Sequence, residues 1–217
     1  MDHRRFRGKM TTSSALEGKQ NMTKRAPKPD KGQQAAEVAL YDLLISLGCK
    51  LEGELRDTPK RAAALWAHHL LDGEHQDLGA ILGHGSPTKS RAPVTLFNVG
   101  VHLVCPHHLT VAFGLAHIGY LPNGRAAGFG ALAQLIHACT ARLVLQEDAC
   151  DTIANAITEH LDARAAAVVI DAMHPCHNVP HARSHRARAV TWGESGTPTG
   201  IRELKGLLRK TVKANNC

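Results

Sequence analysis

The amino-acid sequence predicts an α+β fold, an antiparallel sheet with helices on one face, preceded by an N-terminal helical pair. Three observations carry this expectation. Apolar residues recur at helical spacing before residue 70, two strand-like runs flank residue 105, and two further helices separate these from two more strand-like runs. At 217 residues the chain can bury one sizeable core, with a small helical appendage beside it.

In chain order, residues 1–32 carry nine Lys/Arg and three Asp/Glu, a charge of +6, whereas residues 33–217, with 17 against 16, carry +1 of the total +7. The basic excess therefore belongs to a polar stretch without apolar periodicity, which reads as a disordered tail, and the folded part has no nucleic-acid footprint. Ala36, Leu40, Leu43, Leu44 and Leu47 then define a helix that Gly48 stops. A second helix opens at Asp57-Thr58-Pro59, with Thr58 as N-cap and Pro59 at the first helical position. Residues 73–93, rich in Gly, His, Ser and Pro, read as a loop.

The runs VTLFNVGVHLV (94–104) and VAFGLAHIGYLP (111–122) read as an antiparallel strand pair. Leu132, Leu135, Ile136, Cys139 and Leu143 mark one helix, and Ile153, Ala156, Ile157 and Leu161 mark another over Ala149–Leu161. AAAVVID (165–171) reads as a buried strand, 187–192 as a last strand, and Ile201, Leu204, Leu207 and Leu208 as the apolar face of a C-terminal helix. The expected organisation is a tail (1–32), a helical region and loop (33–93) and a sheet-bearing domain (94–217). No apolar run is long enough to span a bilayer and no signal-peptide core is present, so the chain is expected to be soluble and cytoplasmic, without a membrane or nucleic-acid partner.

Six cysteines, Cys49, Cys105, Cys139, Cys150, Cys176 and Cys217, stand at irregular spacings, which favours metal binding or buried thiols over a disulfide framework. Cys105-Pro106-His107-His108 offers a thiolate and imidazoles within one turn, a zinc-type ligand set. A second cluster, His174-Pro175-Cys176-His177, follows the buried strand, where a sheet can bring it to the first. Spacing alone leaves open two zinc arrangements and the absence of any metal. Three ligands with a water make a catalytic site, and a fourth from His107, His174 or His177 closes a structural one.

The blocks LRDTPKRAA, CPHHLTVAFGLAHIGYLPNGR, VLQE and AVVIDAMHPC occur in that order, and together they resemble the GTP cyclohydrolase I family over roughly residues 35–195. The resemblance implies a tunnelling fold (T-fold) for the catalytic domain and a toroidal homo-oligomer with sites between subunits. It also implies a zinc ion held by Cys105, His108 and Cys176. His107 is then the general acid that protonates a purine ring nitrogen, and His174 assists proton transfer or orients water. Zinc supplies a nucleophile at neutral pH by lowering the pKa of water, here directed at purine C8. Gln146 and Glu147 match the family's guanine-recognition position, where a carboxylate accepts from N1–H and the 2-amino group together. Arg61 matches a cation of the family's phosphate grip.

Most of that grip is absent. Where the family carries Leu-Ser-Lys and an Arg three residues on, this chain has Phe129-Gly130-Ala131 and Gln134. Ala64 stands three residues beyond Arg61 where a Lys is frequent, and Pro180-His181 replaces an Arg-Gly pair. Arg183, Arg186 and Arg188 are the replacement cations that the sequence offers. A charge-assisted hydrogen bond contributes about 1.5–3 kcal/mol, so losing several weakens triphosphate binding by powers of ten. The expectation is a zinc hydrolase that opens the imidazole ring of a guanine-type purine lacking a triphosphate: a nucleoside, a free base or an 8-oxopurine. The alternatives are GTP cyclohydrolase I proper, making dihydroneopterin triphosphate for pterin and folate synthesis, and a catalytically silent, zinc-stabilised scaffold or sensor.

Overall fold

The computed structural model describes residues 31–179 and 187–215. The basic tail lies outside the described residues as far as residue 30, and Lys31 and Gly32 open the first helix. Helix α1 (Lys31–Ser46) packs on α2 (Thr58–Leu65), giving the expected helical pair. The α2 backbone continues as a π-type turn through Trp66–Leu70. Thr58 is the first residue of α2 rather than its cap, because Arg61 N donates to Asp57 O at 3.0 Å and Asp57 thus holds the cap position; Thr58 Oγ1 accepts from Arg61 Nη2 at 3.3 Å. On α1, Ala36, Leu40 and Leu44 are half-buried but Leu43 is 53% exposed, and Leu47, just past the helix end, is 71% exposed.

The stretch 73–93 departs from the expected loop. It holds a short helix, α3 (Leu78–Leu82), and a two-residue strand, β1 (Ser86–Pro87). Asp77 caps α3 by accepting from Ala80 N at 3.1 Å, and Leu82 anchors it in the core. A helix this short has too few apolar positions to show a period among Gly and His residues.

Strands β2 (Val94–Val104) and β3 (Val111–Leu121) lie within a residue of the expected bounds. After β4 (Arg125–Ala126), which pairs with β1, come α4 (Phe129–Thr140), α5 (Gln146–Leu161) and β5 (Ala165–Met173). A four-residue helix, α6 (Pro175–Asn178), β6 (Ala189–Gly196) and α7 (Pro198–Asn215) complete the chain. The main sheet has the order β2-β3-β5-β6, with every pairing antiparallel.

Alternation along β5 shows how the layers divide. Ala166, Val168, Ile170 and Ala172 join the core beneath α4 and α5, whereas Ala165, Ala167 and Val169 meet Leu204 and Leu208 of α7. The sheet is therefore covered by α4 and α5 on one face, as expected, and by α7 on part of the other. This is why β5 is almost continuously apolar: a strand covered on both faces has no solvent side to mark with polar residues.

Gly193 of β6 lets this strand approach the backbone of α5. A Cβ there would collide with the carbonyl of Cys150 and with Asp151 N, at 2.5 Å from the latter. Gly193→Ala is expected to destabilise the fold by about 1–3 kcal/mol through overpacking. Gly206→Ala, in α7 with nothing near its added methyl, is expected to be neutral or stabilising by up to about 1 kcal/mol. Denaturant midpoints of the two variants check this, and equal midpoints would contradict it.

Candidate functional site

The β2–β3 turn is closed by two backbone bonds: Cys105 N donates to Thr110 O, and Leu109 N donates to Cys105 O, each at 2.9 Å. Leu109 takes φ 54° to complete the reversal. Since β3 runs antiparallel to β5 with Phe113 opposite Met173, the chain leaving β5 at His174 emerges beside this turn. Pro175 then starts α6, its fixed φ suited to a first helical turn, and α6 carries Cys176.

Cys105 Sγ lies 3.9 Å from Cys176 Sγ and 3.7 Å from His108 Nδ1. The ligand atoms of all three residues lie within 4.8 Å of one another. Tetrahedral zinc at about 2.3 Å from sulfur and about 2.0 Å from nitrogen places two sulfurs about 3.8 Å apart, and a sulfur and a nitrogen about 3.5 Å apart. The two pairs that include Cys105 fit such an ion as they stand, and the third lies within 4.8 Å. Both cysteines are free thiols, and no fourth Cys, His, Asp or Glu joins the group among the described residues. Three protein ligands with one open position is the arrangement of a catalytic zinc site rather than a structural one. Of the other cysteines, Cys139 and Cys150 are buried, each thiol pushed up to about 11 by that burial; Cys49 is exposed, and Cys217 lies outside the described residues.

The three residues form one wall of a cleft of about 450 Å³, within the range of small-molecule sites. His107, His174, Gln146, Glu147 and Arg188 also line it. His107 stands beside His108 with ring centroids 6.1 Å apart. Burial lowers the pKa of His174, an effect that Glu147 offsets and His177 reinforces. Glu147 is exposed to the cleft from the first turn of α5, which begins three residues earlier than the periodicity indicates.

Gln146 is placed differently from its neighbour. Its side chain is buried, with Nε2 2.9–3.0 Å from Ile170 O, Ala189 O and Thr191 Oγ1, which share its two hydrogens, and with Oε1 accepting from His174 Nε2 at 2.7 Å. Those polar atoms are engaged inside the protein. Arg61 is not among the residues that line the cleft within this chain, and its Nη2 donates to Glu54 O at 2.9 Å as well as to Thr58. Pro180, His181, Arg183 and Arg186 lie outside the described residues. Arg188 does reach the cleft, but Nε donates to Asp171 Oδ1 at 2.6 Å and Nη2 to Asp171 O at 3.0 Å. Its charge is thus compensated by a carboxylate only 7% exposed. The sequence reading missed Asp171 and Thr191, although an Asp ending the apolar run AAAVVID is the kind of residue that a buried partner explains.

Comparison with known proteins follows the same lines. The GTP cyclohydrolase I family model matches residues 36–205. GTP cyclohydrolase 1 of Ralstonia nicotianae is 37% identical over 159 residues, covering 73% of this chain and 76% of that one. The enzymes of the same name from Chromobacterium violaceum and Dehalococcoides mccartyi are 35% identical over 158 residues (72% and 77% covered) and 33% over 162 residues (73% and 85% covered). The chain belongs to the GTP cyclohydrolase I family and has its tunnelling fold.

Proposed function

We infer that this chain is a zinc-dependent hydrolase that opens the imidazole ring of a guanine nucleotide at C8, with GTP as the substrate that the relatives' names favour. The observation that carries the reading is the meeting, in one cleft, of a three-ligand metal set with His107, His174 and Glu147. Cys105, His108 and Cys176 would hold the zinc, whose chemistry when bound would be to make a nucleophile available at neutral pH. His107, adjacent to a ligand, donates a proton to the ring nitrogen as the C8–N bond opens, and His174 moves a second proton. Glu147 accepts from guanine N1–H and the 2-amino group, a donor pair that adenine lacks.

Self-association belongs to the same reading. Among the described residues β2 and β6 are the edge strands of the sheet, β2 being bridged only at Val104 by Leu143, and Leu109, Leu143, Leu145 and Val190 stay 40% or more exposed. A neighbouring copy pairing with those edges would close the sheet into a ring and cover that apolar surface. It could also bring Arg61 to a site that Arg61 does not reach within its own chain. The cytoplasm is the proposed compartment, and among the described residues no helix is long and apolar enough to cross a membrane.

A second reading rests on a specific observation. Gly130, Ala131, Gln134 and Ala64 stand where the family carries grip residues, and Arg188 is already paired with Asp171. This favours a guanine derivative without a triphosphate, because a tetra-anion desolvated without free cations costs several kcal/mol. Incubating metal-loaded protein with GTP, guanosine, guanine and 8-oxoguanine, read by product mass, separates the two. Under the first reading GTP is converted at an ordinary enzymatic rate. The second requires catalytic efficiency with an unphosphorylated compound to exceed that with GTP by at least roughly 100-fold, equivalent to about 2.7 kcal/mol.

Two sets of variants test the assigned roles. Cys105→Ala, His108→Ala and Cys176→Ala are each expected to lose bound metal and activity, since three ligands leave no redundancy. His107→Ala is expected to keep stoichiometric zinc while turnover falls on the order of 10²–10⁴-fold. Metal analysis beside turnover rates checks both, and zinc retained by a ligand variant would contradict the set. Glu147→Gln, a surface change that leaves the fold intact, turns one acceptor into a donor facing guanine N–H groups. Affinity for the guanine substrate is expected to fall by about 1–3 kcal/mol, and an unchanged dissociation constant would place Glu147 outside recognition.

A further inference from the structure

The first residue of α5 has a side chain whose every polar atom is committed. Gln146 Nε2 lies 3.0 Å from Ile170 O, 3.0 Å from Ala189 O and 2.9 Å from Thr191 Oγ1. Two of these partners are backbone carbonyls, which only accept, so the nitrogen end of the amide must face them. The oxygen end then faces His174, with Oε1 2.7 Å from the ring's Nε2. An amide oxygen only accepts, so His174 must carry a proton on Nε2. A neutral imidazole has one N–H, which leaves Nδ1 as the basic nitrogen.

We propose that Gln146 is a positioning residue that locks His174 in the Nε2–H tautomer, with Nδ1 as the ring's accepting nitrogen. The carbonyls that orient the amide come from both central and edge strands: Ile170 lies in β5, opposite Thr191, and Ala189 begins β6 opposite Ala172. Rotating the amide by half a turn would set its oxygen against two carbonyl oxygens and its NH₂ against the ring's N–H. The sheet thus dictates the imidazole's orientation through one buried side chain that is 3% exposed. The same commitment leaves guanine recognition to the side chain of Glu147, which is free to face the cleft. That His174 moves a proton rests on the proposed function; the tautomer is a property of the chain alone.

The test has two arms. In the first, metal-loaded full-length protein labelled with ¹⁵N-histidine is studied by magic-angle-spinning NMR, with His174 assigned by the signals lost in His174→Gln. The expected spectrum shows a protonated Nε2 and an unprotonated Nδ1, whereas a protonated Nδ1 beside a bare Nε2 overturns the proposal. This arm uses no Gln146 variant and no substrate, so it decides the tautomer even if the proposed activity fails or a Gln146 variant does not fold. In the second, Gln146→Met removes the acceptor while keeping the side chain's length. With the turned-over guanine compound, kcat should fall on the order of 10–10³-fold, within the roughly 10⁴-fold that holding a catalytic imidazole in its tautomer can contribute. KM should change less than about threefold and zinc content not at all, because metal and base contacts lie elsewhere. A raised KM with unchanged kcat would make Gln146 a substrate contact and overturn the proposal.

Discussion

Nine residue pairs between β3 and β5, from Phe113↔Met173 to Leu121↔Ala165, hold together two parts of the chain that the site needs side by side. Cys105 and Cys176 are 71 residues apart in sequence, yet their sulfurs are 3.9 Å apart because both lie just beyond the same end of this ladder, Cys105 before β3 and Cys176 after β5. Gly114 tightens it, since a Cβ there would meet Asp171 O and Ala172 across the pair. Antiparallel register is unforgiving in this respect. A slip of one residue would turn His174 and its neighbours to the other face and move Cys176 by more than the tolerance of a metal ligand.

The ladder survives because β5 is covered on both faces. Ala165, Ala166, Ala167, Val168, Val169 and Ile170 are fully buried, between α5 on one side and α7 on the other. Their small and β-branched side chains let helices lie close to the strand, and Gly193 in β6 allows the same for α5. The interior then reaches the cleft through polar side chains rather than apolar ones. Gln146 ties α5 to both β5 and β6 and ends on His174, while Asp171, buried in β5, ends on Arg188. Each unpaired buried group would cost about 1–3 kcal/mol, so the packing that stabilises the sheet also constrains two side chains of the site.

The strands and the two Cys/His clusters were legible in the sequence for physical reasons. Alternating and β-branched runs gave β2 and β3 within a residue, and the clusters at Cys105–His108 and His174–His177 stand out by residue type beside strand ends, although residue type alone did not choose Cys105, His108 and Cys176 from among their histidines; the family resemblance did. What stayed hidden depends on three-dimensional partners. The helix Leu78–Leu82 is too short to show a period, and its signal is one capping residue, Asp77. Amphipathicity in α7 says that Leu204 and Leu208 are buried, not on which face of the sheet; the unbroken apolar run in β5 is the clue that both faces needed cover. Gln146 and Glu147 look alike as neighbours in VLQE, yet one is committed inside and the other faces the cleft, since successive helical residues point about 100° apart. The same limit applies to Arg188, whose charge reads as free in the sequence and is paired in the fold.

X-ray absorption at the zinc edge of the reconstituted protein tests the central claim most directly, that the β3–β5 ladder builds a metal site with three protein ligands and one open position. The account predicts one zinc per chain with two sulfur neighbours at about 2.3 Å and two nitrogen or oxygen neighbours at about 2.0 Å. One of the lighter pair should carry the multiple-scattering signature of a single imidazole. A shell of one sulfur, of four sulfurs or of two imidazoles, or zinc bound well below one per chain, would contradict it.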